Sequence, residues 1–301
     1  MQFESTAPQP TNPLRARTVL EILDATFRLY RENFVALITL SAVVLIPITI
    51  IQFVLDPSAA NASLQSAASS GTRNAAALNS AMGTVCFSSL ISAVLSLIQV
   101  TVINGMVVKI SSEGIFGRRL TLGQAWQAAQ PHLYRMASAY FLFYIVLVAL
   151  SMAIGVGSAL CPVLLVLFAI VVYLAITIGA MLPPVVMLEG MRGNEAFRRT
   201  VAVARPRFWQ MILLYVLIAV ITTVLSLALT ALLVAVLVSG GRSGVSVQQQ
   251  AIATGLSTLI NIFILPITPI AMTFLYYDVR VRTEGLDLAL QALGPDARPE
   301  S

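Results

Sequence analysis

Charge is the scarcest ingredient of this sequence. Only 10% of its 301 residues are Asp, Glu, Lys or Arg, against about 25% in an ordinary soluble domain. That is too little to solubilise a fold in which 58% of residues are hydrophobic, because wide apolar patches would face water. The two cysteines, Cys86 and Cys161, are too few for a disulfide scaffold, and their spacing does not suit a metal. The single histidine, His132, excludes paired-histidine metal centres and the His-Glu-x-x-His arrangement. Neither a Gly-rich phosphate loop nor a Gly-x-Ser-x-Gly elbow occurs, which argues against ATP-driven pumping and serine hydrolysis.

What the sequence does have is long apolar runs, and its mean hydropathy is +0.88. A bilayer core about 30 Å thick needs roughly 20 apolar residues per spanning helix. Six stretches qualify: Val35–Leu55, Ala81–Val108, Ala137–Leu160, Val163–Leu188, Met211–Val238 and Ala251–Tyr277. None holds an Asp, Glu, Lys, Arg or His, and none alternates with period two, so they read as helices and not barrel strands. The predicted fold is all-α, a polytopic membrane protein with six transmembrane helices. Residues 1–16 read as a disordered leader, 17–290 as one transmembrane domain and 291–301 as a disordered tail. No cleavable signal peptide is expected, because a polar leader precedes the first apolar run.

The basic residues give the orientation. Arg15, Arg17, Arg28 and Arg31 precede the first run, and Lys109, Arg118, Arg119 and Arg135 lie between the second and third. Arg192, Arg198, Arg199, Arg205 and Arg207 lie between the fourth and fifth, and Arg280, Arg282 and Arg298 follow the sixth. These segments hold 16 of the 18 basic residues, leaving Arg73 and Arg242 for the opposite side. The positive-inside rule therefore places both termini in the cytoplasm, which requires an even number of spans. The pI near 9.6 comes from these juxtamembrane clusters, so anionic lipid headgroups and not nucleic acid are the expected partners.

A threefold pattern accompanies this topology. Thr18–Tyr30, Thr121–Arg135 and Gly193–Trp209 each precede an out-and-back pair of spans, and Glu21, Gln124 and Glu195 align among them. Thr18…Glu21 and Thr121…Gln124 have the form of capping boxes, and in the third copy Asn194 is the expected cap. Three amphipathic helices lying at the cytoplasmic interface follow from this reading.

Helix breakers recur at the cytoplasmic ends of the even spans: Asn104-Gly105, Pro183-Pro184, and Pro266 and Pro269 after Asn261. Each proline leaves a carbonyl without its helical donor, and broken ends on one side suggest a polar cavity. A small-molecule or lipid facilitator working through that cavity is the alternative function. The spans offer no ionisable side chain for ion coupling. Arg198, Arg199, Arg205 and Arg207, set between Phe197 and Phe208-Trp209, are the candidate contacts to anionic lipid headgroups, with Pro206 expected to end their helix. Glu189 and Glu195 read as partners of these arginines in solvated ion pairs.

Three segments carry a family resemblance. The first is Glu21-Ile22-Leu23-Asp24-Ala25 with Phe27-Arg28-Leu29-Tyr30-Arg31. The second is Leu188-Glu189-Gly190, Glu195-Ala196-Phe197-Arg198-Arg199-Thr200 and Arg207-Phe208-Trp209. The third runs from Tyr276-Tyr277-Asp278-Val279-Arg280 through Val281-Arg282-Thr283-Glu284-Gly285 to Leu286-Asp287-Leu288. Together they resemble the bacterial glycerophosphoryl diester phosphodiesterase membrane domain, over about residues 14 to 290. In that family the membrane region is fused to a separate catalytic barrel holding a divalent metal between histidines and acids. This sequence has one histidine and no room for such a barrel, so no catalytic residue carries over and no cofactor is expected. The resemblance implies a non-catalytic module in the bacterial cytoplasmic membrane. It would serve as a lipid-contacting scaffold or as a docking domain for a protein of lipid metabolism. A lipid-phosphodiester hydrolase is the weakest alternative.

Overall fold

The computed structural model describes residues 17–55, 75–158, 179–238 and 247–285, with 166, 168, 171, 173 and 175 between them. Among these residues all regular structure is helical. The elements are α1 (Val19–Glu32), α2 (Phe34–Val54), α3 (Ala75–Ile115), α4 (Leu122–Ser158) and α5 (Leu182–Glu189). They continue as α6 (Gly193–Ala204), a 3-10 turn (Arg205–Arg207), α7 (Phe208–Val238), α8 (Val247–Ile264) and α9 (Ile267–Glu284).

Among the described residues, five helical stretches are long and apolar enough to cross a membrane: Phe34–Val54, Met82–Ile115, Leu122–Met152, Gly193–Ala228 and Thr254–Glu284. They overlap five of the six expected spans. The sixth, Val163–Leu188, falls largely outside the described residues, as do the leader 1–16, the tail 291–301 and the turn at Cys161-Pro162. Four of the five bury no more than 28% of their most apolar window, whereas Thr254–Glu284 buries 61%. Its C-terminal half, α9, is buried almost throughout from Ile267 to Val279, which makes α9 an interior element.

The chain divides into two compact units. The first comprises residues 1–34, 105–219 and 267–301. In it α9 packs against α1, α5, α6 and the 3-10 turn, while α4 packs against α5 and α6. Its core includes Ile22 and Leu29 from α1, Met136 from α4, Met187 from α5 and Tyr276 from α9. The second unit comprises residues 35–104 and 220–266. It buries Leu37, Leu40, Leu45 and Ile48 of α2 with Ile260 and Ile262 of α8, and Thr258 Oγ1 donates to Thr49 Oγ1 at 3.2 Å. Val43, Ile50, Leu90, Val94 and Val224 of this unit remain exposed, a composition suited to lipid tails and not to water.

Local sequence explains several helix ends. At α1, Thr18 Oγ1 accepts from the Glu21 N–H at 3.3 Å while the Glu21 carboxylate accepts from the Thr18 N–H at 2.7 Å, a closed capping box. Thr121 and Gln124 make the same exchange at α4, at 3.0 and 3.4 Å. The third copy differs from expectation. Arg192 takes the N-cap position of α6 with no side-chain cap bond, and Asn194 lies inside the helix.

The second amphipathic segment is not a separate helix either. It runs on through Pro131 into the following span as the 37 residues of α4. Asn104-Gly105, expected as a break, lies inside the unbroken α3. Gly105 serves packing: a Cβ there would stand 3.0 Å from Leu133 Cδ2 and 3.4 Å from Met187 Cε. The breaks beside Pro183-Pro184 and at Pro266 do form, whereas Pro269 lies inside α9. Met181 separates Gly179-Ala180 from α5, which starts one residue before Pro183, and Leu265-Pro266 separates α8 from α9.

Candidate functional site

The residues singled out at the expected cavity divide between the two units. Asn104, Asn261 and Pro266 belong to one, and Gly105, Pro183, Pro184 and Pro269 to the other. The arginine cluster lies wholly in the first unit and has a defined geometry.

It begins at Gly190, which ends α5 with φ 66°, a left-handed conformation that glycine adopts without strain. Arg135 Nη1 donates to the Gly190 carbonyl at 2.9 Å, and a Cβ at Gly190 would stand 2.9 Å from the same Nη1. From there α6 buries Ala196, Thr200, Val203 and Ala204 and turns Arg198, Val201 and Arg205 outward. Pro206 has no N–H for the Ala202 carbonyl, and the helix tightens into the 3-10 turn. It does not stop there. Arg205 and Phe208 keep right-handed helical angles, and α7 follows at once.

This elbow borders an open pocket of about 630 Å³ lined by Val201, Arg205, Arg207, Phe208, Trp209 and Gln210, among others. No carboxylate lines it. Arg207 Nη1 donates to Gln210 Oε1, which fixes one edge of the guanidinium. The Phe208 and Trp209 rings meet edge to face at 6.0 Å, and Trp209 is 80% exposed, as an interfacial anchor would be.

Arg199 behaves differently from its neighbours. Its Nε and Nη2 donate to the two oxygens of Glu189 at 2.7 and 3.0 Å, and Nη2 also donates to Glu284 Oε1 at 2.5 Å. Arg280 Nε donates to Glu284 Oε2 at 2.8 Å and its Nη1 to Tyr276 OH at 3.0 Å. Tyr276 OH in turn donates to Glu189 Oε1 at 2.8 Å, which closes a five-membered ring of side chains. The Glu189 side chain is 7% exposed and Tyr276 fully buried. Arg199 is therefore committed within the protein and is withdrawn from the candidate headgroup contacts. Glu189 is not solvated, as its sequence neighbourhood suggested, but is a buried anion held by three donors from Arg199 and Tyr276.

A second clamp lies on the same helix. Asp278, buried in α9, accepts from the Arg17 N–H at 2.6 Å and from Arg282 Nε at 3.1 Å. Arg282 Nη2 donates to the Arg17 carbonyl at 3.0 Å, and the Arg17 guanidinium lies 4.9 Å from the Phe274 ring centroid. The ring thus joins the second and third resembling segments, and this clamp ties the third to the residues just before the first.

The ring had a signal in the sequence: Tyr276, Arg280 and Glu284 recur at i, i+4 and i+8 on one helix face. Glu189 and Arg199 were paired by their closeness in sequence, but nothing in the sequence tied that pair to α9. His132, half-buried, has no hydrogen-bond partner at Nδ1. Among the described residues no group of three His, Cys, Asp or Glu is placed to hold a metal ion.

No family model matches this chain, and no curated protein or solved structure matches it either. What stands is a helical chain with several membrane-length apolar helices, a basic elbow and a buried ion-pair ring.

Proposed function

We propose that this chain is a non-catalytic integral membrane module that holds anionic phospholipid at its arginine elbow. It has six spans in three repeats, with both termini in the cytoplasm of a bacterial cell, and its relatives are the glycerophosphoryl diester phosphodiesterase membrane domains. The observation that carries the reading is the cavity whose only charged lining groups are Arg205 and Arg207, beside the exposed Trp209. Guanidinium forks pair with phosphate oxygens, and tryptophan favours headgroup depth. The ring at Glu189 holds α5, α6 and α9 in register, so the elbow is presented by a rigid support.

Purified full-length protein carrying both Arg205→Lys and Arg207→Lys tests the reading. The charges and the topology signal persist, but the planar forks are lost. Retention of anionic phospholipid, read by native mass spectrometry, should fall about tenfold, the loss of one charge-assisted pair. Membrane insertion and yield should not change. Equal lipid retention by the variant and the parent would leave these arginines with a topological role alone.

A further inference from the structure

Building on that reading, we infer that the elbow prefers a phospholipid with two phosphodiesters joined through one glycerol over one with a single phosphodiester. Arg198 and Arg205 are both exposed and seven residues apart, which places them on one face about 10 Å apart at 1.5 Å per residue. Val201 lies between them on that face and also lines the cavity, so the cavity wall runs from Arg205 toward Arg198.

The positive charges along this path are uncompensated. Glu195, one turn before Arg198, makes no ion pair with it, and no Asp or Glu lines the cavity. The neighbouring Arg199, by contrast, is neutralised by Glu189 and Glu284. Arg205 and Arg207 therefore line the pocket, and Arg198 stands about two turns before Arg205 on the same helix face. A single phosphodiester satisfies the Arg205–Arg207 pair and leaves Arg198 in solution. A second phosphate tethered to the first is presented to Arg198 at high effective concentration, which raises affinity without any new contact at the elbow.

Size points the same way. A cavity of about 630 Å³ lies in the range that takes drug-sized ligands, far larger than one phosphate ion. The apolar members Val201, Phe208 and Trp209 suit glycerol and the first acyl carbons. The shared chemistry is the phosphodiester anion, and a lipid source is favoured because the lining is mostly apolar.

The test titrates detergent-purified full chain with three lipids and reads bound stoichiometry by native mass spectrometry. The lipids are diphosphatidylglycerol, phosphatidylglycerol at twice the concentration to equalise charge, and phosphatidylcholine. Diphosphatidylglycerol should bind about tenfold tighter than phosphatidylglycerol, the gain expected from tethering one further charge-assisted pair. Arg198→Gln should bring that ratio to within about twofold while phosphatidylglycerol binding holds, since only the second phosphate loses its partner. Inorganic phosphate should displace neither lipid.

A ratio that is unity in the parent chain, or that survives Arg198→Gln, overturns the two-phosphate inference while leaving the single-phosphate site intact. Anionic lipids bound no better than phosphatidylcholine would overturn both readings. Displacement by inorganic phosphate would overturn the lipid source.

Discussion

Replacing Gly179 by alanine should lower the melting temperature by about 5 °C and reduce the yield of monodisperse protein. Gly179 is buried, and a Cβ built on it overlaps Phe143 Cζ and stands 2.7 Å from Cε1 and 3.0 Å from Cε2. An aromatic ring cannot bend aside as a methionine can. Phe143 is itself buried, so relief requires moving α4 away from residue 179. Overpacking of this kind costs about 1–3 kcal/mol. Phe143→Leu in the Gly179→Ala background should recover part of the loss, although Phe143→Leu alone destabilises through the cavity it leaves. A Gly179→Ala variant that melts with the parent would show that this contact does not limit packing.

Removing the buried anion at the centre of the ring should have an effect of similar size. Glu189→Leu leaves Tyr276 without its acceptor and Arg199 with Glu284 alone. Breaking a buried pair by removing one partner typically costs about 3–5 kcal/mol. The lower end applies here, because Arg199 is part exposed and keeps a second carboxylate. The variant carrying both Glu189→Leu and Arg199→Leu should be more stable than Glu189→Leu alone, since no uncompensated charge remains. Additive losses in that double-mutant cycle would mean that the two side chains are not coupled.

The parts of this fold that were legible in the sequence were those with a local or periodic cause. Uncharged runs of about 20 residues mark membrane-length helices because the bilayer imposes that length. Thr18…Glu21 and Thr121…Gln124 could be read as caps because the exchange involves only four consecutive residues. Breaks were legible at Pro183-Pro184 and Pro266, where a donor is missing, but not at Asn104-Gly105. Glycine merely permits a bend, and here the missing Cβ admits Leu133 and Met187.

The candidate site was legible in composition and only partly in role. Four arginines within ten residues singled out the segment that forms the elbow. Which of them faces inward depends on partners 10 and 85 residues away, and no local pattern encodes those. Glu189 reads as a loop acid until α9 brings Tyr276 against it. The Gly179–Phe143 contact had no sequence signal, because it depends on how two apolar helices cross.

In a multi-pass protein of the proposed topology, the elbow, the ring and the amphipathic segments should all face the cytoplasm. Thiol accessibility in a cysteine-free chain, with Cys86→Ser and Cys161→Ser, tests that topology most directly. Ser69→Cys and Ser243→Cys, in connections outside the described residues, should react with a membrane-impermeant thiol reagent in intact cells. Gly123→Cys, with open space at its Cβ, and Thr283→Cys, at an exposed position, should react only after permeabilisation. Labelling of Gly123→Cys or Thr283→Cys in intact cells would contradict the topology and with it the cytoplasmic lipid site.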